Sequence, residues 1–391
     1  MADPTFLPPA DWLGRSDLAA LVAALGPGNV RYVGGVVRDT LLGIAPKDVD
    51  MATVLLPQAT LERLAAAGIR AVPTGLAHGT VTAVLEGGPV EITTLRRDVE
   101  TDGRHATVAF STEWREDAAR RDFTINALYA DPVTGEVFDW FGGLDDLNAR
   151  RVRFIGDAET RIREDYLRIL RYFRFQARFG SIPADAQAEA AVQALSAGLK
   201  GLSRERIAGE LLNLLGLPAP SATLARMAEL GVLAQVLPEA DPAPLGSLEA
   251  AERREGVPPD PLRRLAAILP ADPAAVDQIG ARLRLSSAQR KRLAAAARRS
   301  GAETEADARA LAYRLGLDEA RDRLLLAGRT LAPVTDWDVP RFPLKGGDVV
   351  ARGVGAGPQV AATLRKVEDG WVAAGFDDAA IPALLDAALS A

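Results

Sequence analysis

The stretch Gly34-Gly35-Val36-Val37-Arg38-Asp39-Thr40-Leu41-Leu42-Gly43-Ile44-Ala45-Pro46-Lys47-Asp48-Val49-Asp50 decides how this chain reads. The apolar run Val30–Val33 before it predicts a strand. Gly34 and Gly35 let the backbone turn tightly and approach a ligand. Helical spacing from Val36 to Leu42 stops at Gly43. Backbone N–H groups at a helix start favour phosphate oxygens, and Arg38 adds a forked cation one turn in. Asp48 and Asp50 follow on a second strand, where residues i and i+2 share a face. Two neighbouring carboxylates repel unless a hard cation lies between them. Mg²⁺ held by one or two carboxylates plus substrate phosphates meets that need. Each piece alone is common: a Gly-Gly turn is most often just a turn, and an Asp-x-Asp pair is most often solvated. Together, in this order and spacing, they imply a site that moves a nucleotidyl group.

Composition bounds the rest. With 391 residues the chain exceeds one core of typical size, so two to four subdomains are expected. Hydrophobic residues make up 48% and charged residues 25%, ordinary for a globular protein. The opening residues show no basic region followed by an apolar stretch, and no run reaches membrane-spanning length. There is no Cys, which excludes disulfides and thiolate metal sites and suits a reducing cytoplasm. His78 and His105 are the only histidines, too few for a His-rich metal site. Net charge is −6, mildly against nucleic acid as a partner, but the placement of charge matters more than its sum. Six arginines crowd residues 161–178. Arg282, Arg284, Arg290, Lys291, Arg292, Arg298 and Arg299 crowd another stretch without an acid. That second cluster reads either as a solvated helix face or as a footprint for a phosphate backbone.

Strand signals fall at Val30–Val33, Asp48–Val54, Thr80–Glu86, Val90–Thr94 and Gly135–Asp139, with a helix over Gln58–Ala67 closed by Gly68. Residues 1–25 suggest a helical lead-in. From about 155 onward helical periodicity dominates. The expected architecture is an α+β head followed by an all-helical arm.

Further chemistry lies in the head. Glu91 sits among β-branched residues, either as an exposed strand carboxylate or as a third metal ligand facing Asp48 and Asp50. Residues 96–113 are polar and read as a mobile loop carrying His105. In Arg120-Arg121-Asp122-Phe123-Thr124-Ile125-Asn126, the tandem arginines and the acid either pair or clamp a triphosphate and ribose. Asn126 is placed four residues on, along one helical face with Asp122. Asp139 to Leu147, with Gly142-Gly143, reads as a tight hinge of structural rather than catalytic role. In Glu164-Asp165-Tyr166-Leu167-Arg168-Ile169-Leu170-Arg171-Tyr172-Phe173-Arg174, Asp165 and Arg168 are i, i+3 neighbours. They form an ordinary salt bridge or present acceptor and donor edges to a base. Arg171 and Arg174 would then hold phosphates or the growing end.

These motifs together closely resemble class II tRNA nucleotidyltransferases, the bacterial CCA-adding enzymes, and the related poly(A) polymerases. The resemblance covers residues 28–215 and includes Ser203-Arg204-Glu205-Arg206-Ile207-Ala208-Gly209-Glu210-Leu211. It implies a polymerase-β-like nucleotidyltransferase head over residues 1–150. Neck helices for nucleotide selection and RNA binding would follow over 151–240, with a tRNA-binding helical body and tail over 241–391. It implies template-independent addition of C, C and A to the tRNA 3′ end from CTP and ATP, with pyrophosphate released. Carried over by motif, Asp48 and Asp50 bind Mg²⁺ in a two-metal site and Glu91 completes the carboxylate set. Gly34, Gly35, Arg38, Arg121 and Asp122 hold the nucleotide. Asp165 and Arg168 read its base, and Arg171 and Arg174 complete the site. The partner would be tRNA, at its acceptor stem and elbow. The segment Pro343 to Val360 resembles the family's Gly-rich element that touches tRNA, and equally a capped helix turn. With two histidines in all, a histidine-rich hydrolase extension such as some relatives carry is not expected.

A poly(A) polymerase or a CC-adding or A-adding relative is the nearest rival. Gly75-Leu76-Ala77-His78-Gly79-Thr80-Val81-Thr82 resembles CCA-adding members more than poly(A) polymerases, and the 96–113 segment is not shortened as in CC-adding members. A non-catalytic RNA-binding protein of the same fold is a rival of another class; loss of an acid at 48, 50 or 91 would favour it.

Overall fold

The structure is a computed structural model that describes residues 4–101, 106–301 and 303–390. By compactness the chain divides into two units, residues 1–210 with 226–238, and residues 211–225 with 239–391.

The first unit is built on a sheet. Its strands are β1 (Val30–Val33), β2 (Val49–Thr53), β3 (Ala71–Gly75), β4 (Thr80–Leu85), β5 (Gly88–Thr94), β6 (Arg96–Thr101), β7 (Ala106–Phe110), β8 (Tyr129–Ala130) and β9 (Val137–Phe138). Seven of them form one sheet in the order β3-β4-β5-β2-β1-β8-β9, and β6 pairs with β7. The pairing of β2 with β5 is parallel, whereas the other paired strands described here are antiparallel.

The helices of this unit begin with α1 (Ser16–Leu25), α2 (Gly35–Leu41), α3 (Pro57–Ala66), α4 (Trp114–Ala119) and α5 (Gly143–Asn148). They continue with α6 (Ala158–Glu164), α7 (Leu167–Phe179), α8 (Ala186–Leu195) and α9 (Arg204–Leu215). Helix α3 opens with Pro57, which costs no hydrogen bond there, and stops before Gly68 at φ 71°. Val33, Ala52, Leu95, Ala118, Ala127, Tyr129 and Ile155 form a core cluster against the sheet. Helix α7 is sharply two-faced. Leu167, Leu170, Tyr172, Phe173 and Phe179 are buried, while Arg168, Arg171, Arg174 and Arg178 recur every three or four residues.

Three departures from the pattern reading have physical causes. Much of the described part of residues 96–113 is not loop: β6 and β7 pair from Arg96↔Phe110 to Thr101↔Ala106. Main-chain hydrogen bonds make that pairing, and the polar residues of β6 hid it. His105 lies outside the described residues. Strand β3 carries Pro73, which argues against a central strand, but β3 is an edge where proline is tolerated. Strand β8 has only two residues, too few for any alternation to show.

The second unit carries helices and, among its described residues, no strand. One cluster packs Leu248, Ala312, Leu324 and Leu325; another packs Val349, Val367, Trp371 and Leu385 near the C-terminus. The arginines of residues 282–299 do not form the free cationic footprint that was one expectation. Arg282 pairs with Glu239 at 2.6 Å, Arg290 with Asp277 at 2.7 Å, and Arg292 with both Asp260 at 2.9 Å and Asp322 at 2.7 Å. Arg299 donates to the Leu269 carbonyl at 2.9 Å. The acids come from segments distant in sequence, which is why a local reading missed them. Among the described residues no helix is long and apolar enough to cross a membrane.

Candidate active site

The parallel pairing of β2 with β5 sets the centre of the site. Its register runs Val49↔Val90, Asp50↔Glu91, Met51↔Ile92. Val49, Met51, Val90 and Ile92 are all buried, so one face of both strands belongs to the core. Alternation puts Asp50 and Glu91 side by side on the other face. Both line a cleft of about 520 Å³, within the range of small-ligand sites. Asp48 stands exposed just before β2, two residues from Asp50, and does not line the cleft. The Asp50 carboxyl is pushed up to about 6 from an ordinary 3.8, first by burial and then by the negative charge of Glu91, with Arg121 pulling the other way. A half-buried acid raised by a neighbouring acid is a place where a cation is favoured.

The Gly-Gly turn closes one wall. Gly34 has φ 70°, a conformation that favours glycine, and Gly34 and Gly35 both line the cleft. Arg38 also lines it, but its fork is engaged by protein. Nε and Nη2 donate to Asp39 Oδ1 at 2.8 and 2.6 Å, and Nη1 donates to Asn126 Oδ1 at 2.5 Å. The guanidinium stacks 4.1 Å from the Phe179 ring centre. Arg38 therefore brings charge and rigidity to the wall rather than an open fork.

The segment around Arg121 supplies the next wall. Arg121 donates to the Tyr129 hydroxyl at 3.1 Å and to Asp117 Oδ2 at 3.2 Å. Tyr129 itself donates to Asp117 Oδ2 at 2.5 Å. Burial raises the Asp117 carboxyl, yet Arg121 and Tyr129 outweigh it and hold the group below its usual range. Asp117 and Tyr129 escaped the sequence reading; the i, i+4 spacing of Asp117 and Arg121 was the available signal. Asp122 and Asn126 do not share a helix, because only Thr124–Asn126 forms a short 3-10 turn. They meet nonetheless: Asn126 Nδ2 donates to Asp122 Oδ1 at 3.0 Å. Asp122 takes Arg171 Nε at 2.7 Å on its other oxygen. Burial raises Asp122, and Arg171 and Asn126 more than offset that, leaving it lowered.

The α6–α7 region departs from expectation. The chain leaves the helix at Asp165, with φ −156° and ψ 104°, so Asp165 and Arg168 do not lie on one continuous helix face. Nor do they pair. Asp165 Oδ1 accepts from the Leu167 backbone N–H at 3.1 Å and Oδ2 from Arg206 at 2.6 Å. Arg168 donates to Glu164 at 2.5 Å and to the Arg161 carbonyl at 2.9 Å. A short carboxylate that accepts a nearby backbone N–H ends one helix and starts the next, without the Pro or Gly that would mark the break. Arg168 and Arg171 line the cleft; Asp165 and Arg174 do not. Arg174 instead donates to Glu210 at 2.6 Å, and Glu210 also lies 3.7 Å from Arg171. The cleft thus gathers Gly34, Gly35, Arg38, Asp50, Glu91, Arg121, Asp122, Arg168 and Arg171 from residues far apart in sequence.

Beside the site, Asp139 to Leu147 is a packed corner. Asp146 is fully buried and meets Arg151 at 2.5 Å, Arg153 at 2.8 Å and the Thr124 hydroxyl at 2.6 Å. A Cβ on Gly143 would fall 2.3 Å from the Thr124 carbonyl oxygen. Gly143→Ala is therefore expected to lower unfolding free energy by about 2 kcal/mol, displacing the Thr124–Asn126 turn with it. Chemical denaturation of the variant checks this; an unchanged midpoint would show that the corner yields freely.

Among the described residues no three acidic or imidazole side chains converge into a closed metal cage. The donor set is all carboxylate, which suits a hard divalent ion that takes remaining oxygens from substrate phosphates.

Comparison with known proteins identifies the family. Residues 30–153 match the family described as the poly A polymerase head domain. Residues 185–243 match the one described as the probable RNA and SrmB-binding site of polymerase A. The mitochondrial CCA tRNA nucleotidyltransferase 1 of Mus musculus is 36% identical over 89% of this chain and 84% of its own length. The CCA-adding enzyme of Geobacillus stearothermophilus is 39% identical over 51% of this chain and 49% of its own. The crystal structure of the Bacillus stearothermophilus CCA-adding enzyme in complex with CTP superposes with a TM-score of 0.71 at 26% identity, covering 92% of this chain and 93% of that one. A likeness of this extent, over head and helices alike, places the chain in the CCA tRNA nucleotidyltransferase family.

Proposed function

We propose that this chain adds CCA to the 3′ end of tRNA, taking CTP twice and ATP once and releasing pyrophosphate at each step. The observation that carries this is the Asp50–Glu91 pair, in register across parallel strands and facing a cleft walled by arginines. Asp50 and Glu91 would hold Mg²⁺ in the cleft, with Asp48 reaching it from just before β2, and the ion when bound supplies charge for the attacking hydroxyl and the leaving pyrophosphate. Gly34 and Gly35 leave room for the triphosphate to lie against the backbone. Arg121 and Arg171 offer it positive charge, with Arg38 behind them. Asp122, Asn126 and Tyr129 fix these cations in place. Arg168 in the cleft wall, together with Asp165, would read the donor and acceptor edges of the base. The RNA 3′-hydroxyl attacks the α-phosphate in line; most of the rate comes from holding the two in position.

The functional division we propose keeps a head over 1–150, neck helices over 151–240 and a tRNA-binding body and tail over 241–391, although the compact units join head and most of the neck in one. Recognition of the acceptor stem and elbow is part of this proposal. In the tail, Asp348 caps α18 (Gly346–Ala351) by accepting from the Lys345 N–H at 2.7 Å, so the Gly-rich element is a shaped helix start. A cytoplasmic location is supported by the likeness to bacterial CCA-adding enzymes, against vertebrate relatives that are mitochondrial.

The poly(A) polymerase reading has the description of the matched head domain in its favour. Extension of a tRNA transcript lacking its CCA end, resolved to single nucleotides, separates them. Two additions with CTP, and a third only with ATP present, are expected. A long ladder with ATP alone would establish the polymerase, and a stop after two additions with both nucleotides present a CC-adding enzyme. No extension under any condition would leave a binding protein.

A further inference from the structure

Arg206 sits in the first turn of α9 and Glu210 one turn later, so the two share a helix face. Neither lines the cleft. Glu210 nevertheless lies beside Arg171, which does line it, and Arg206 grips Asp165, three residues before the cleft-lining Arg168. Arg206 Nη2 donates to Asp165 Oδ2 at 2.6 Å, while Glu210 takes Arg174 at 2.6 Å and approaches Arg171 at 3.7 Å. Asp165 at the α6–α7 break and two arginines farther along α7 are thereby tied to one helix. Asp165 has no helix to orient it, since the backbone is extended there. Its rotamer is set by two donors, the Leu167 N–H on Oδ1 and Arg206 on Oδ2. Each oxygen keeps a further lone pair for an incoming donor.

We propose that Arg206 is a positioning residue for base selection, holding Asp165 so that its remaining lone pairs meet the exocyclic amine of cytosine or adenine. This rests on the base reading proposed above for Asp165 and Arg168. A carboxylate fixed in this way accepts from an amine and repels the carbonyl that uracil or guanine presents at the equivalent position. Without Arg206 only the Leu167 N–H holds the carboxylate, so it is less firmly oriented and the penalty against the wrong base falls. The contact is half exposed, with Arg206 48% and Asp165 32% accessible, so the effect is moderate.

The test compares kcat/KM for CTP over UTP on tRNA lacking CCA, and for ATP over GTP on tRNA ending in CC. The proteins are the parent, Arg206→Gln, Arg206→Lys and Asp165→Ala. Arg206→Gln is expected to lower both ratios about five-fold, the size of a half-exposed charge pair, mainly through KM. Arg206→Lys is expected to recover most of that loss. Equal loss for all four nucleotides, or unchanged ratios in Arg206→Gln when Asp165→Ala lowers them, would overturn the inference and leave the base reading standing. Unchanged ratios in Asp165→Ala would overturn the base reading itself. Melting curves on all four proteins separate a general loss of fold from a loss of selection.

Discussion

Asp50→Asn is expected to reduce nucleotide incorporation about a thousand-fold, the loss of several kcal/mol of charge stabilisation, while leaving tRNA affinity within about two-fold. The substitution keeps shape and removes charge. It also carries a signature that a merely damaged fold does not. The Asp50 proton binds more tightly in the folded chain, at about 6, than at its ordinary 3.8. Stability from that proton is fully present below pH 3.8 and is lost as pH rises through about 6. Above that window the ionised acid costs the folded chain up to about 3 kcal/mol, because burial and Glu91 oppose it. In chelator-containing buffer at pH 8, Asp50→Asn is therefore expected to be more stable than the parent. The gap should close toward pH 4. A variant that is inactive and less stable at pH 8 would show that Asp50 is a structural group and not one of a strained like-charged pair.

Glu252→Ala is expected to cost the second unit about 3–5 kcal/mol. Glu252, on the helix Leu245–Arg254, is 1% exposed and stands between two buried guanidiniums of the helix Pro261–Ile268. Arg263 donates to Oε1 at 2.8 Å and Arg264 to Oε2 at 2.9 Å. Their other donors reach backbone carbonyls, such as Leu215 at 2.8 Å and Pro258 at 2.8 Å, and Arg263 lies 3.3 Å from Asp322. Asp322 is already engaged by Arg292, so it cannot replace Glu252 for both cations. Alanine leaves charge buried without a counterion, which costs far more than the pair contributes when intact. A melting temperature lower on the order of 10 °C is expected by calorimetry. Glu252→Gln, which keeps one acceptor, should fall between. Equal midpoints for all three proteins would mean that water reaches these arginines.

Much of the head was legible because its signals are local. Val30–Val33 is β1 as written, the Gly34 turn and α2 follow it, and β4 and β5 fall within two residues of their expected bounds. What stayed hidden depends on distance along the chain. The break at Asp165 has no glycine or proline to announce it, and its partner Arg206 is 41 residues away. Arg171 finds Asp122 across 49 residues, and Arg38 finds Asn126 across 88. Composition suggested a cationic footprint at residues 282–299 because the opposing acids, Glu239, Asp260, Asp277 and Asp322, all lie outside that stretch. Residue type therefore disclosed the chemistry of the site, whereas the partner of each charged group was a property of packing.

The parallel pairing of β2 with β5 carries a last consequence. Its alignment is enforced from the opposite side of the sheet, by Met51 beside Ile92 and Val49 beside Val90. A slip of one residue would turn Glu91 toward the interior and leave Asp50 without its neighbour. The oily residues that never meet a nucleotide thus act as the ruler for the acids that do. Regain of turnover after denaturation would count only molecules whose two strands had aligned correctly, so catalysis in this chain doubles as a gauge of folding fidelity.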